Sequence, residues 1–264
     1  MLKINRNINT KSVISNIVLW VKNYATEHQL KSLVIGVSGG IDSAVVSTLC
    51  AMTNIKTHCL LLPLHQNKKE TEIGEKHINW LRKTYKNVNY TKIDLSSVFE
   101  NFKDLIPVDE LKDLALANTR SRIRMTTLYQ VAQSNEGIVV GTGNKVEDFG
   151  VGFFTKYGDG GVDISPIADL YKSEVYNIAK ELNILEDIQK AKPTDGLWDD
   201  GRDDESQLGA TYDELEWVMN YIEITPENLV GENLSKRESE VLMIYSSLHT
   251  KNKHKMVEIP IFKL

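Results

Sequence analysis

Six consecutive residues, Ser38-Gly39-Gly40-Ile41-Asp42-Ser43, carry the clearest chemistry in the chain. They follow Leu33-Val34-Ile35-Gly36-Val37, a short apolar run that reads as a buried strand, and they lead into a helical stretch from about 43 to 52. Two glycines let the backbone approach a polyphosphate and tolerate positive φ. Successive N–H groups and the start of the next helix attract anions, and two serine hydroxyls add donors. Asp42 alone would repel phosphate, so its place here makes sense if it holds a Mg²⁺ that bridges to the phosphates. The pattern is not the Walker A loop, because no lysine follows the glycines. A bare Ser-Gly-Gly would read as a strand-to-helix turn without a ligand; the full hexapeptide after an apolar strand points to a nucleotide.

The elements that must position this loop can be traced from periodicity. Apolar residues at Val13, Ile14, Ile17, Val18 and Val21 have helical spacing, with Asn9 or Thr10 as N-cap. Strands are expected at 57–62, 88–93 and 137–140, and helices at 69–86, 95–102 and 108–133. Strands alternating with helices of this length predict an α/β fold: a doubly wound, mainly parallel sheet with helices on both faces. Ligands in such sheets sit beyond the carboxyl ends of the strands, where both Gly-containing turns fall, after Val37 and after Val140. Beyond 150 the pattern turns loop-rich, with Tyr157–Gly161 and the acidic stretch Lys192–Gln207, then helices at 173–182, 212–221 and 235–249. The economical reading is one domain over 1–264, with a nucleotide-binding core at about 30–185 and a loop-rich, helical part at about 186–264.

Composition narrows the class. The 264 residues are 41% hydrophobic and 25% charged, with a net charge of −5, which argues against a nucleic-acid binder. No apolar run approaches the ~20 residues that span a bilayer, and the N-terminus shows no apolar leader, so a cytoplasmic enzyme is expected. Cys50 and Cys59 form no CxxC pair and read as buried thiols rather than a disulfide or zinc framework.

The hexapeptide resembles the SGGxDS pyrophosphate loop of the N-type ATP pyrophosphatases, which cleave ATP between the α and β phosphates to make an adenylate. Within that superfamily, Gly141-Thr142-Gly143-Asn144-Lys145-Val146-Glu147, the run Gly152–Asp163, Lys192-Pro193-Thr194 and His254-Lys255 look like NAD synthetases, in the expected order along nearly the whole chain. The resemblance implies an adenine nucleotide alpha hydrolase-like fold and a ligase for the last step of NAD biosynthesis. Deamido-NAD would be adenylated at its nicotinate carboxylate, and ammonia would then displace AMP. It places ATP on Gly36, Val37, Ser38, Gly39, Gly40, Ile41, Asp42, Ser43, Thr142, Lys172 and Thr194. It places deamido-NAD on Arg122, Lys156, Asp163, His254 and Lys255, Mg²⁺ on Asp42 and Glu147, and catalysis on Asp42, Lys172 and Asp163. It also implies a homodimer with the dinucleotide site at the interface.

Read alone, Lys172 is a surface lysine, Glu147 a helix-start carboxylate, and His254 and Lys255 part of a solvated basic tail. Arg120 and Arg124 share a helix face while Arg122 is rotated away, and three arginines this close call for something anionic nearby. The chain has no room for a glutaminase domain, so free ammonia is the expected nitrogen source, with a separate glutaminase partner left open. One departure stands out. Between Glu147 and Lys156 the chain carries one residue more than the commoner family pattern, which leaves both Glu147 and Asp148 as candidates for the metal. The Asp199–Glu205 stretch reads as a loop able to close over the site. Other SGGxDS enzymes, such as a GMP synthetase core or a tRNA thiolase, are the nearest rivals. A non-catalytic nucleotide-binding module is the rival from another class.

Overall fold

A computed structural model describes residues 6, 8–66, 68–107, 112–194, 203–225, 227 and 230–264. Strands β1 (Ser32–Gly36), β2 (Lys56–Leu61), β3 (Val88–Lys92) and β4 (Gly137–Val139) form a parallel sheet in the order β3-β2-β1-β4. Ser32 is in register with Lys56 on one side and with Gly137 on the other. Because β1 passes to β2 in one direction and β4 lies on its other flank, the topological switch point falls between β1 and β4, directly at the mouth of the Ser38–Ser43 loop.

The central strand is apolar without interruption because both of its faces are covered. Leu33 and Ile35 face α1 (Thr10–Glu27), α2 (Ile41–Met52) and α6 (Lys172–Glu181), in a core with Val21, Val45, Leu49 and Ile178. Val34, Leu60 and Val139 face the opposite layer of α4 (Ser96–Asp104) and α5 (Asp113–Ser134), through Phe99 and Ala132. Helix α3 (Lys68–Thr84) covers the β2 end of the first face with Ile78 and Leu81. Both cysteines are buried free thiols, as expected, and burial pushes Cys59 up to about 12. Asn9 is the N-cap of α1, its Oδ1 accepting from Ser12 N at 3.0 Å. Among the described residues no helix is long and apolar enough to cross a membrane.

The expected strands and long helices are found with shifted ends. A π-helical segment at Lys145–Val151 and two short helices, α7 (Glu186–Lys190) and α8 (Asp204–Leu208), have no counterpart in the sequence reading. Helices α9 (Tyr212–Ile224) and α10 (Lys236–Met256) close on the π segment through Val146, Val151, Leu215, Val218 and Val241, a core separate from that of the sheet. Of the acidic loop expected at 199–205, residues 199–202 lie outside the described residues.

Candidate active site

The loop after β1 is shaped by its own side chains. Gly39 has φ +95°, and a Cβ there would stand 2.6 Å from the Glu70 carbonyl oxygen of α3, so only glycine fits. Ser43 Oγ donates to the Gly40 carbonyl at 3.0 Å and accepts from Ser38 N at 3.2 Å, while Gly40 N donates to Ser38 Oγ at 3.1 Å. These bonds hold the loop open over the first turn of α2, whose N–H groups point out of the helix start.

Behind the loop, three charges meet. Lys172 opens α6 and is only 3% exposed. Its Nζ donates to Asp42 Oδ2 at 2.6 Å and to Glu147 Oε1 at 2.9 Å. Burial acts to lower the Lys172 pKa, but Asp42 and Glu147 outweigh it and raise it, so the ammonium is fixed. Burial and the Glu147 charge leave Asp42 above the ordinary carboxylate range despite Lys172. At Glu147, the pull of Lys172 and the Tyr212 hydroxyl overcome burial and hold it below its ordinary value.

Asn144 ties this cluster to the backbone. Its Nδ2 donates to Asp42 Oδ1 at 3.2 Å, and its Oδ1 caps the π segment by accepting from Val146 N at 3.1 Å and Glu147 N at 3.2 Å. A π turn holds one residue more than an α turn spread over the same length. Glu147, not Asp148, meets Asp42 at Lys172. Asp148 turns against Gly143 and lines a smaller cavity with Asp42, Glu147 and Asp159, where burial and these neighbours push its pKa well up.

A cleft of ≈ 260 Å³ opens between the carboxyl ends of β1 and β4. Gly36, Val37, Ser38, Gly40, Ile41, Asp42, Thr142, Glu147, Lys172 and Thr194 all line it; Ser43 lines the adjoining smaller cavity, and Gly39 backs onto α3. The inner wall is Leu62, Met125 and Leu128, apolar enough for a flat ring. The Lys172 ammonium stands where a bound cation would. It shows that Asp42 and Glu147 converge on one point charge, as a two-carboxylate Mg²⁺ site completed by phosphate oxygens requires. Among the described residues no group of three His, Cys, Asp or Glu side chains is placed to hold a metal.

The five residues assigned to the dinucleotide do not line this cleft. Four form an outer group: Arg122 Nε and Nη2 donate to the Lys156 carbonyl at 3.3 Å, and Lys156 Nζ donates to the His254 carbonyl at 2.9 Å. Lys255 Nζ donates to the carbonyls of Gly152 and Phe154. The arginines divide as their spacing predicted. Arg124 Nε donates to the Leu62 carbonyl at 3.1 Å, and Arg120 lies 5.0 Å over the Phe99 ring. Asp163 stands apart and exposed, its Oδ2 accepting from Val139 N at 2.8 Å and its Oδ1 from the Tyr129 hydroxyl at 3.1 Å. It braces β4, where the outward pairing is reduced to the bridge Val140–Ile164.

The family model for NAD synthase matches residues 13–258. The chain belongs to the NAD synthase family. Among curated relatives, the NH(3)-dependent NAD(+) synthetase of Finegoldia magna is 34% identical over 88% of this chain and 93% of the relative. Among solved structures, the NMN synthetase of Francisella tularensis superposes with a TM-score of 0.85 at 28% identity, covering 98% of this chain and all of the other. The NH3-dependent NAD synthetase of Campylobacter jejuni, in complex with the nitrate ion, gives 0.79 at 27%, covering 97% of this chain and 100% of the other. Relatives of this NAD synthase thus share the nucleotide-binding fold from end to end.

Several site residues of this NAD synthase escaped the sequence reading. Asn144 and Asp159 lay inside quoted motifs but had no role assigned. Asp159 lines both cavities, its Oδ1 accepting from Ser121 Oγ at 2.7 Å and from Thr155 N at 3.0 Å. Tyr212 had no local signal; Asp204 lies in the Asp199–Glu205 stretch expected to close over the site, and α8 and α9 bring the two side chains to Glu147.

Proposed function

We propose that this NAD synthase adenylates deamido-NAD in the cleft at the carboxyl ends of β1 and β4 and then admits ammonia. The observation that carries the residue roles is the meeting of Asp42, Glu147 and Lys172 behind the phosphate loop. The triphosphate would rest on the Ser38–Ser43 N–H groups, with the adenosine toward Thr142 and the wall of Leu62 and Leu128. A nicotinate carboxylate oxygen attacks the α-phosphorus; the P–O bond to pyrophosphate breaks, leaving a mixed anhydride. Lys172 leaves its two carboxylates for the α-phosphate, where its ammonium offsets the charge that grows in the transition state. Asp42 and Glu147 would hold Mg²⁺, which neutralises phosphate charge when bound. Ammonia then attacks the acyl carbon, the C–O bond to AMP breaks, and NAD forms. No covalent nucleophile is needed, and orienting the two substrates supplies much of the rate.

Arg122, Lys156, His254 and Lys255 would receive deamido-NAD, and Asp163 would act beside them. Their distance from the cleft supports a dimer in which a second copy completes the dinucleotide site. We place the enzyme in the cytoplasm, using free ammonia or a separate glutaminase.

The test is an end-point assay with ATP, Mg²⁺ and ammonium or glutamine, separating NAD, AMP and pyrophosphate. NAD and AMP formed one-to-one with ammonium, and little with glutamine, is the expected result; none from folded, ATP-binding protein would sink the reading. The likeness to an NMN synthetase supports a second substrate, the mononucleotide acid, so both acids are offered in competition. Preferential NMN formation would reverse the assignment.

A further inference from the structure

Tyr212 is the first residue of α9, and a reciprocal capping box fixes it there: Thr211 Oγ1 accepts from Glu214 N while Glu214 Oε2 accepts from Thr211 N at 2.9 Å. Its own N–H donates to Glu205 Oε1 at 2.9 Å, tying the same turn to α8. With the backbone held twice, the ring has one place to go. It is buried, with its centroid 4.8 Å from Lys172 Nζ, so it floors the ammonium that bridges Asp42 and Glu147. Its hydroxyl reaches Glu147 Oε1 at 2.5 Å and Asp204 Oδ2 at 3.3 Å. A phenol has one proton to donate, and the shorter contact takes it. Tyr212 thus connects the α8–α9 layer to the carboxylate of the π segment, on the side away from the phosphate loop.

We propose that Tyr212 is a positioning residue of the ATP site: its hydroxyl orients the Glu147 carboxylate so that the metal can replace Lys172 when nucleotide arrives. The inference rests on the reading of Asp42 and Glu147 as metal ligands. It touches neither reacting atoms nor phosphates, so its effect runs through Glu147. When Lys172 departs for the phosphates, Glu147 loses its ammonium donor, and the Tyr212 hydroxyl, at the shortest contact, is the main side-chain donor left beside Asn144 to keep it from turning. Outer hydrogen bonds of this kind typically set metal affinity by 10- to 100-fold.

The test is Tyr212→Phe, which keeps the ring under Lys172 and removes only the hydroxyl. Mn²⁺ binding is measured by electron paramagnetic resonance with a non-hydrolysable ATP analogue, beside Mg²⁺ titrations of activity. Tyr245→Phe is the matched control, since Tyr245 lies in the same C-terminal core. Tyr212→Phe is expected to weaken Mn²⁺ binding about 10-fold and raise the half-saturating Mg²⁺ equally, with kcat at saturating Mg²⁺ within about threefold of wild type. Tyr245→Phe is expected to change neither. Unchanged Mn²⁺ affinity in Tyr212→Phe, or a loss of kcat that Mg²⁺ does not restore, overturns the proposal and leaves the metal reading standing. Failure of the wild-type protein to bind Mn²⁺ with nucleotide would overturn both.

Discussion

The residues proposed for the substrates fall into two groups built on opposite terms. Around Lys172, three charged side chains answer one another at 2.6 and 2.9 Å, nearly out of water, with Asn144 and Tyr212 holding the carboxylates from outside. Around Arg122, cationic side chains rest on main-chain carbonyls, Arg122 on Lys156, Lys156 on His254 and the half-buried Lys255 on Phe154. A buried ion cluster is geometry fixed in advance, since any misplaced charge would be severely penalised. Cations resting on carbonyls keep their charge available to an incoming anion. The first group thus suits reacting phosphates, and the second suits recognition that a further surface completes.

Four experiments would break or sharpen that contrast. The largest effect is expected from Asp42→Ala, a loss of about 10³-fold in kcat with ATP binding weakened, because both the metal site and the partner of Lys172 go; a loss under tenfold would remove Asp42 from the chemistry. Lys172→Met should lower kcat by about 10²-fold and, by leaving two buried carboxylates facing each other, cost about 3–5 kcal/mol in denaturant unfolding. An unchanged midpoint would mean the cluster is looser than its distances imply.

Acid should strike the inner group through its foundations. His77 of α3 is buried behind α2, with Nε2 3.0 Å from Ser47 Oγ, and burial, against a smaller opposing backbone contact at Ala44, lowers its pKa to about 4. A depressed folded pKa means that the stability is whole above the unfolded value of 6.5 and drains away as pH falls toward 4, by roughly 3 kcal/mol for this shift. His77→Gln should flatten that acid limb of the Tm profile; an identical limb would assign it to another group. Smallest in effect, Arg122→Ala should raise KM for deamido-NAD about tenfold with kcat within threefold, the mark of binding lost equally from ground and transition states. Added salt should raise the wild-type KM in the same direction, as exposed charges are screened. A fall in kcat alone would move Arg122 into the inner group.

How much of this was legible follows from how far each feature reaches along the chain. The strand before Ser38, the loop itself and the alternation of elements are local patterns, and the switch point follows once β4 is placed beside β1. The residues expected to hold ATP come largely from the resemblance, and all of them but Gly39 and Ser43 line one cleft. Tyr212 was invisible because its only signal is a contact 65 positions away, with Glu147. The π segment was invisible because Asp148-Phe149-Gly150-Val151 has too short an apolar pattern to declare a period. Lys255 shows the opposite failure. Read alone it belongs to a solvated basic tail, but its half-buried ammonium donates to the Gly152 and Phe154 carbonyls beyond the π segment.

That segment bears on how such a site tolerates changes in chain length. A Cβ on Gly150 would meet the end of the Met219 side chain of α9, and one on Gly152, at φ +64°, would stand 2.5 Å from Asn252 Cβ of α10. His249 and Asn252 of α10 also bond the Gly150 and Val151 carbonyls, at 2.7 and 2.8 Å. Both ends of the segment are therefore pinned while its interior can widen. An insertion or deletion of one residue between Lys145 and Phe153 would be taken up as the difference between a π and an α turn, leaving the Glu147 carboxylate where it is. Lineages could gain or lose a residue a few ångströms from the reacting phosphates without having to rebuild the site around it.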